Sequence, residues 1–284
     1  MIKLVASDLD GTIIGRDNNI FENNLKAIND INNRNIDFVI CTGKTYPIIK
    51  GICSKFNASY GIFGNGNQII NLKTGEEIYK KLLTEDEIYS CIDIAKKYNL
   101  HIHIYTDKEL ITEELKYMDL RNYKLQQDKF YDGSLQITIV PDLKKYLNQN
   151  KPEICKLILS AEKDLSEVKN DILNVKNVDI TTIKKYGEYK DNIINKEYEY
   201  LDISPKGISK DSALSFLENY LKINNSEVMA VGDNLNDLDM IKNSGIGVAV
   251  ANAYSELKSV AKYTTTNSVE QGGFAEAVYK FIEF

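Results

Sequence analysis

Two rhythms of apolar residues alternate along the first eighty positions. Ile2 to Ala6 is a short apolar run that reads as a strand, and Leu25, Ile28 and Ile31 in Asn24 to Asn33 recur at helical spacing. Ile36 to Cys41 is again strand-like, and Pro47 suits the first turn of a helix running to about Phe56 with Ile48, Ile49 and Ile52 inward. Strand, helix, strand, helix implies parallel pairing with right-handed crossovers. Tyr60 to Phe63 and Gln68 to Asn71 then flank Gly64-Asn65-Gly66-Asn67. These glycines lack the third member of a nucleotide fingerprint and no long helix follows, so the segment reads as a hairpin turn.

The texture changes near Thr84. Thr84 and the acidic residues Glu85, Asp86 and Glu87 read as the capped start of an amphipathic helix to about Tyr98. His101 to Tyr105 alternates as a half-buried strand, with both histidines on one face. The pair is a candidate metal site, and two histidines without a third nearby ligand are more often surface residues or core filler. Asp107 to Gln149 is polar and aromatic with a short apolar run at Leu135 to Val140, and receives no assignment. Cys155 to Ser160, Val178 to Ile183 and Tyr198 to Ile203 read as strands, and Asp164 to Leu173 as a helix. After Ser204-Pro205 the first texture returns. Ala213, Leu214, Leu217 and Leu221 line one side of a helix, Val228 to Val231 is a buried strand, Met240 and Ile241 belong to a helix, and Ile246 to Val250 is a last strand. The pattern predicts an α/β fold in which a Rossmann-like parallel-sheet core, residues 1–83 and 204–284, is interrupted by an α/β domain at 84–203.

Composition changes this picture little. A chain of 284 residues with 43% hydrophobic content has room for one large or two modest domains. A net charge of −6 argues against sequence-independent nucleic-acid binding. Cys41, Cys53, Cys91 and Cys155 lack the spacing of a zinc site or disulfide framework, so reduced, buried thiols are expected. The N-terminus shows no basic-then-apolar leader and no apolar run approaches a membrane span, which gives the expectation of a cytoplasmic protein without membrane contact. Oligomeric state is not readable.

Polar residues gather where strands of the core end. Asp8-Leu9-Asp10-Gly11-Thr12 follows the first strand, Thr42-Gly43-Lys44 the second, and Gly232-Asp233-Asn234-Leu235-Asn236-Asp237 the strand at Val228, while Lys210 opens a helix. Ligands of parallel sheets bind at these carboxyl ends. Residues i and i+2 of extended chain share a face, so Asp8 and Asp10 meet one ligand if the strand persists through Asp10. Their mutual repulsion calls for a shared cation, with Mg²⁺ as the oxygen-seeking candidate, and a carboxylate also serves as a covalent nucleophile. Each group has a plainer alternative: Asp-Gly as a surface turn, Lys210 as a solvated charge, Asp233 and Asp237 as helix caps.

Over nearly its whole length the chain resembles the Cof-type, subclass IIB branch of the haloacid dehalogenase-like (HAD) phosphatases. The resemblance is carried by DLDGT from Asp8, CTGK from Cys41, GISK ending at Lys210, GDNLNDLDM from Gly232, and VAVANA from Val248 followed by TTTN and EQGG. It implies an Mg²⁺-dependent phosphatase for small phosphate monoesters, with the insertion as its cap domain. By the same resemblance Asp8 attacks phosphorus and becomes an aspartyl-phosphate, and Asp10 is general acid and then base. Asp8 and Asp233 would ligate Mg²⁺ with the Asp10 backbone carbonyl, and Asp237 would hold metal-bound waters. Thr42, Gly43, Lys44, Lys210 and Asn236 would surround the phosphate.

Two positions depart from that pattern: Lys44, where arginine is frequent, and Asp211, where glycine is common. Substrate choice falls to the cap, whose Tyr105, Tyr117, Tyr123 and Tyr131 are candidates for stacking on a ring or for ordinary packing. Sugar phosphates are the first substrate class implied, with phosphorylated cofactors such as flavin mononucleotide or pyridoxal phosphate second. A phosphomutase with the same nucleophile and a non-catalytic ligand-binding module stay open as alternatives.

Overall fold

The computed structural model describes residues 1–15, 19–116, 136–186 and 197–283. In chain order, the first elements are β1 (Leu4–Ser7), α1 (Glu22–Asn33), β2 (Asp37–Cys41), α2 (Tyr46–Phe56), β3 (Tyr60–Phe63), β4 (Gln68–Asn71) and β5 (Glu77–Lys80). There follow α3 (Glu85–Lys97), β6 (His101–Thr106), β7 (Glu109–Thr112), β8 (Gln136–Ile139), α4 (Leu143–Asn150), β9 (Ile154–Ala161), α5 (Ser166–Leu173), β10 (Val178–Tyr186) and β11 (Glu197–Pro205). The last are α6 (Lys210–Leu221), β12 (Val228–Gly232), α7 (Leu238–Asn243), β13 (Ile246–Ala249), α8 (Ser255–Val260), β14 (Tyr263–Thr264) and α9 (Gly273–Phe281). The chain divides into two compact units. One comprises Met1–Lys44, Gly51–Lys80 and Ile208–Phe284, and the other Lys81–Gly207 with Thr45–Lys50.

The first unit is built on a sheet of order β14-β13-β12-β1-β2-β3-β4-β5. Every pairing from β14 to β3 is parallel, and β4 and β5 are added antiparallel. Leu4, Val5, Ala6 and Ser7 of β1 are all buried, as expected of a central parallel strand covered on both faces. Register sets Ala6 beside Ala230 and Val39, so β12, β1 and β2 deliver their carboxyl ends side by side. Helix α1 begins two residues before the run expected from its apolar spacing. Asn24 is buried there, its amide donating to the Ile13 carbonyl at 3.3 Å and accepting the Ala275 N–H at 3.1 Å. Phe38 packs edge-on against Phe56 and Phe274, with ring centroids 6.4 and 5.9 Å away, which anchors α2 and α9 to the sheet.

The second unit has a sheet of order β10-β11-β9-β6-β7-β8, antiparallel except between β7 and β8. One face carries Ile102, Ile104, Leu157, Leu159, Leu201 and Ile203 in a core with residues of α3, α4 and α5. Helix α3 opens with the expected cap: the Thr84 hydroxyl accepts the Glu87 N–H and the Glu87 carboxylate accepts the Thr84 N–H. Strand β6 departs from expectation. All six of its residues are buried, rather than alternating between core and solvent. His101 and His103 do share a face, with rings 5.6 Å apart. Among the described residues no third metal-ligating group joins them. On the same face as the histidines, Lys156 and Asp202 form a buried ion pair at 2.7 Å. Strand β7, strand β8 and helix α4 fall in the stretch left unassigned; β7 is only four residues long, too short for a periodicity to register. Tyr105 is buried and lies edge-on to His103 at 5.2 Å, whereas Tyr117, Tyr123 and Tyr131 lie outside the described residues.

All four cysteines are free and buried, and burial pushes the Cys53 and Cys91 thiols up to about 12. Among the described residues no helix is long and apolar enough to cross a membrane.

Candidate active site

Asp8 is the first residue beyond β1. Its N–H donates to the Val231 carbonyl at 3.0 Å, so the ladder to β12 continues one step and holds the backbone in place. The side chain is buried, at 6% exposure. The extended chain does not persist through Asp10, contrary to the condition under which the two carboxylates would share a strand face. Gly11 turns the chain at φ +89°, and the N–H groups of Thr12, Ile13 and Ile14 converge on the Leu9 carbonyl. This turn sends the exposed Asp10 carboxylate to Lys44 Nζ at 2.7 Å. Gly11 has a second reason to be glycine: a Cβ there would stand 2.3 Å from Asp233 Oδ2.

Asp233 and Asp237 come from the turn after β12. The Thr12 hydroxyl donates to Asp233 Oδ1 at 2.9 Å, linking the first motif to the last. Asp237 is fully buried and accepts the N–H groups of Asp233 and Asn234 on Oδ2, at 3.1 and 3.0 Å. Lys210, also fully buried, starts α6 behind a Ser209 cap. Its ammonium donates to Asp8 Oδ1 at 2.6 Å and to Asp237 Oδ1 at 2.7 Å. Lys210 and Asp237 are therefore no surface charge and no simple cap. They form the buried floor of the site.

Electrostatics follow from that crowding. Burial pushes the Asp8 carboxyl well above the usual range; Lys210 pulls it down, and Asp237, Asp233 and Asp10 push it further up. Burial and the Asp237 charge raise Asp233 to about 6. Burial also works against the Lys210 charge, yet Asp237 and Asp8 hold it above the ordinary lysine value. Carboxylate oxygens of Asp8, Asp233 and Asp237 lie within 4.8 Å of one another, and the Lys210 ammonium bonds the first and the last of them. An oxygen-only donor set with surplus negative charge fits a hard divalent cation such as Mg²⁺. The Asp10 carboxylate is outside this group.

The loop after β2 supplies the remaining expected residues. The Thr42 N–H donates to the Ile62 carbonyl at 2.9 Å, and the Thr42 hydroxyl accepts the Lys44 N–H at 3.2 Å. Gly43 lies against the Asn65 side chain: a Cβ there would be 3.0 Å from Asn65 Oδ1. Asn236 donates to that same oxygen at 2.9 Å. Sequence reasoning treated Asn65 as part of a plain turn, although its place at the end of a strand next to β2 was a usable signal. Asn252 was likewise passed over; it donates to the Gly11 carbonyl at 2.8 Å and accepts the Val269 N–H at 2.8 Å, fixing the first turn from behind. Asp211 points elsewhere, accepting from Asn243 at 2.9 Å and tying α6 to α7.

The chain is similar to several known proteins over nearly its whole length. The Streptococcus pyogenes serotype M6 protein M6_Spy0533 is 28% identical over 288 residues, covering 99% of this chain and 98% of its own. The 5-amino-6-(5-phospho-D-ribitylamino)uracil phosphatase YcsE of Bacillus subtilis is 27% identical over 272 residues, covering 95% of this chain and 92% of its own. A crystal structure of a haloacid dehalogenase-like hydrolase from Bacteroides thetaiotaomicron shares the fold with a TM-score of 0.81 at 24% identity, over 99% of this chain and 100% of that one. Residues 5–278 match the family of haloacid dehalogenase-like hydrolases, and the chain belongs to that family.

Proposed function

We propose that this hydrolase is an Mg²⁺-dependent phosphatase that cleaves small phosphate monoesters through an aspartyl-phosphate on Asp8. The observation that carries the reading is the buried Asp8 carboxylate, held at 2.6 Å by Lys210 and faced by Asp233 and Asp237. Such a site binds a carboxylate and an anionic substrate together only if positive charge is shared among them.

Asp8 and Asp233 would hold the metal with the Asp10 carbonyl, and Asp237, whose oxygens already accept from Lys210 and two backbone N–H groups, would hold metal-bound waters. When bound, Mg²⁺ neutralises charge on the phosphoryl oxygens and lets an anionic nucleophile approach them. The chain's own residues do the rest. Lys210 favours the ionised form of Asp8 against the burial that raises it, and stabilises charge through transfer together with the Thr42 hydroxyl and the Gly43 loop. Asp8 oxygen bonds to phosphorus as the ester bond to the alcohol breaks, and Asp10 gives the departing alkoxide its proton. Asp10 then takes a proton from the water that hydrolyses the aspartyl-phosphate, releasing phosphate and restoring Asp8. Lys44 holds the Asp10 carboxylate in place between these two steps. Residues 84–203 are the part that selects the leaving group. A phosphorylated polyol or sugar is the favoured substrate class, supported by the ribityl phosphate in the name of the Bacillus subtilis relative.

The test is phosphate release from a panel of sugar phosphates, sugar-alcohol phosphates and phosphorylated cofactors, with Mg²⁺ and with a chelator. Metal-dependent release that is abolished in Asp8→Asn, with the circular dichroism spectrum unchanged, is the expected result. Turnover retained by Asp8→Asn sinks the mechanism, and isomerised substrate without free phosphate identifies a phosphomutase.

A further inference from the structure

We infer that Asn65 is a positioning residue that joins the phosphoryl-binding loop after β2 to Asn236 and so sets the geometry of the phosphate site. The inference rests on the phosphatase reading above. Asn65 sits at φ +59° between two glycines that also have positive φ. Asparagine tolerates this conformation better than other non-glycine residues, as it does at Asn35, Asn57, Asn99 and Asn177, so the case rests on what its side chain touches. That side chain spans two loops. Asn65 Oδ1 accepts the Asn236 amide at 2.9 Å, across 171 residues of sequence, while its flank lies on Gly43.

The backbone of the same turn grips the second motif. The Asn65 N–H donates to the Thr42 carbonyl at 3.0 Å and the Gly64 N–H to the Lys44 carbonyl at 2.9 Å. Gly66 packs on the residue before Lys210, since a Cβ there would stand 2.4 Å from the Ser209 carbonyl oxygen. One three-residue turn thus touches the loop of Thr42 and Lys44, the side chain of Asn236 and the start of the helix that carries Lys210. Gly43 has no side chain of its own, so its backbone can approach a phosphoryl oxygen closely, and the Asn65 amide forms the wall that fixes how it does so. If Asn65 were only a turn former, its amide would have no bearing on anion affinity.

The experiment measures inorganic phosphate binding to the full chain by calorimetry in the presence of Mg²⁺, alongside hydrolysis of p-nitrophenyl phosphate. Asn65→Gly keeps the left-handed backbone and removes the amide. Its expected phenotype is phosphate affinity weakened about tenfold, KM raised by the same factor, kcat within about twofold and Tm unchanged. Asn236→Ala is expected to match it, and the double variant to be no worse than the weaker single, because both remove one interaction. Should Asn65→Gly fail to fold, Asn65→Asp retains the acceptor oxygen and tolerates the turn. By setting a charge beside Gly43 it is expected to weaken phosphate binding by more than about tenfold. Native phosphate affinity in either variant, or independent multiplying effects of Asn65→Gly and Asn236→Ala, overturns the inference. A parent protein that binds phosphate but hydrolyses nothing sinks the phosphatase reading while leaving the comparison of variants decisive.

Discussion

Lys210→Met tests whether the buried lysine is what makes three clustered carboxylates tolerable. The parent ammonium has 0% exposure and bonds Asp8 and Asp237 at 2.6 and 2.7 Å, so the substitution removes a cation that solvent cannot replace. Breaking a buried ion pair by deleting one partner costs about 3–5 kcal/mol, chiefly because a charge is left uncompensated. Here the orphaned groups are Asp8 and Asp237, with Asp233 alongside. The expected loss in urea unfolding is therefore in that range, measured in chelator. On the proposed reading Mg²⁺ would supply the missing charge, and saturation at about 100 times its Kd would return about 2.7 kcal/mol. The variant is expected to recover more stability from Mg²⁺ than the parent gains, because the carboxylates no longer have a competing cation. Its phosphatase rate is expected to fall by about 10² to 10³, the scale of losing one preorganised charge donor. A variant within about 0.5 kcal/mol of the parent in chelator, or one stabilised by Mg²⁺ no more than the parent, would falsify the electrostatic account.

Two further perturbations probe other links. Gly11→Ala places a Cβ 2.3 Å from Asp233 Oδ2 at φ +89°, so Asp233 must move off Thr12. The half-saturating Mg²⁺ concentration for activity is expected to rise at least about tenfold, with about 1–3 kcal/mol of backbone strain; a native Mg²⁺ requirement contradicts the assigned role of that glycine. In the second unit, burial lowers His101 to about 4 and, with His101 and Lys156 nearby, holds His103 well below its usual value. Between about pH 6.5 and 4 the unfolded chain takes protons that the fold refuses, so stability is lost as pH falls through that window. His101 alone accounts for about 3 kcal/mol of this loss. His101→Gln is expected to flatten the pH dependence of unfolding there, and an unchanged slope argues against a neutral buried imidazole.

Much of the candidate active site was visible in the linear order of residues. Local pattern is enough to place Asp8, Thr42 and Asp233 at strand ends, because a continuous apolar run followed by Gly, Asp or Thr marks where a buried parallel strand gives way to a loop. The Thr84 cap was legible for the same reason: its partners are three residues apart. Burial of the β6 histidines was not, since alternation records only one covered face and says nothing of what lies over the other.

Residues whose meaning depends on a distant partner could be read only in the folded chain. The burial of Lys210 is set by Asp8, 202 positions away, and the role of Asn65 by Asn236, 171 positions away. Asp10 and Lys44 become a pair because Gly11 turns the backbone out of the strand. Sequence by itself determined which side chains are available and at which strand ends they emerge, because strands and caps are decided by neighbours a few residues apart. Which charge neutralises which, and which amide holds which loop, was decided by the register that sets β12, β1 and β2 side by side. Electrostatic and hydrogen-bond energies depend on separations of a few ångströms in space, and only the packed sheet creates those separations.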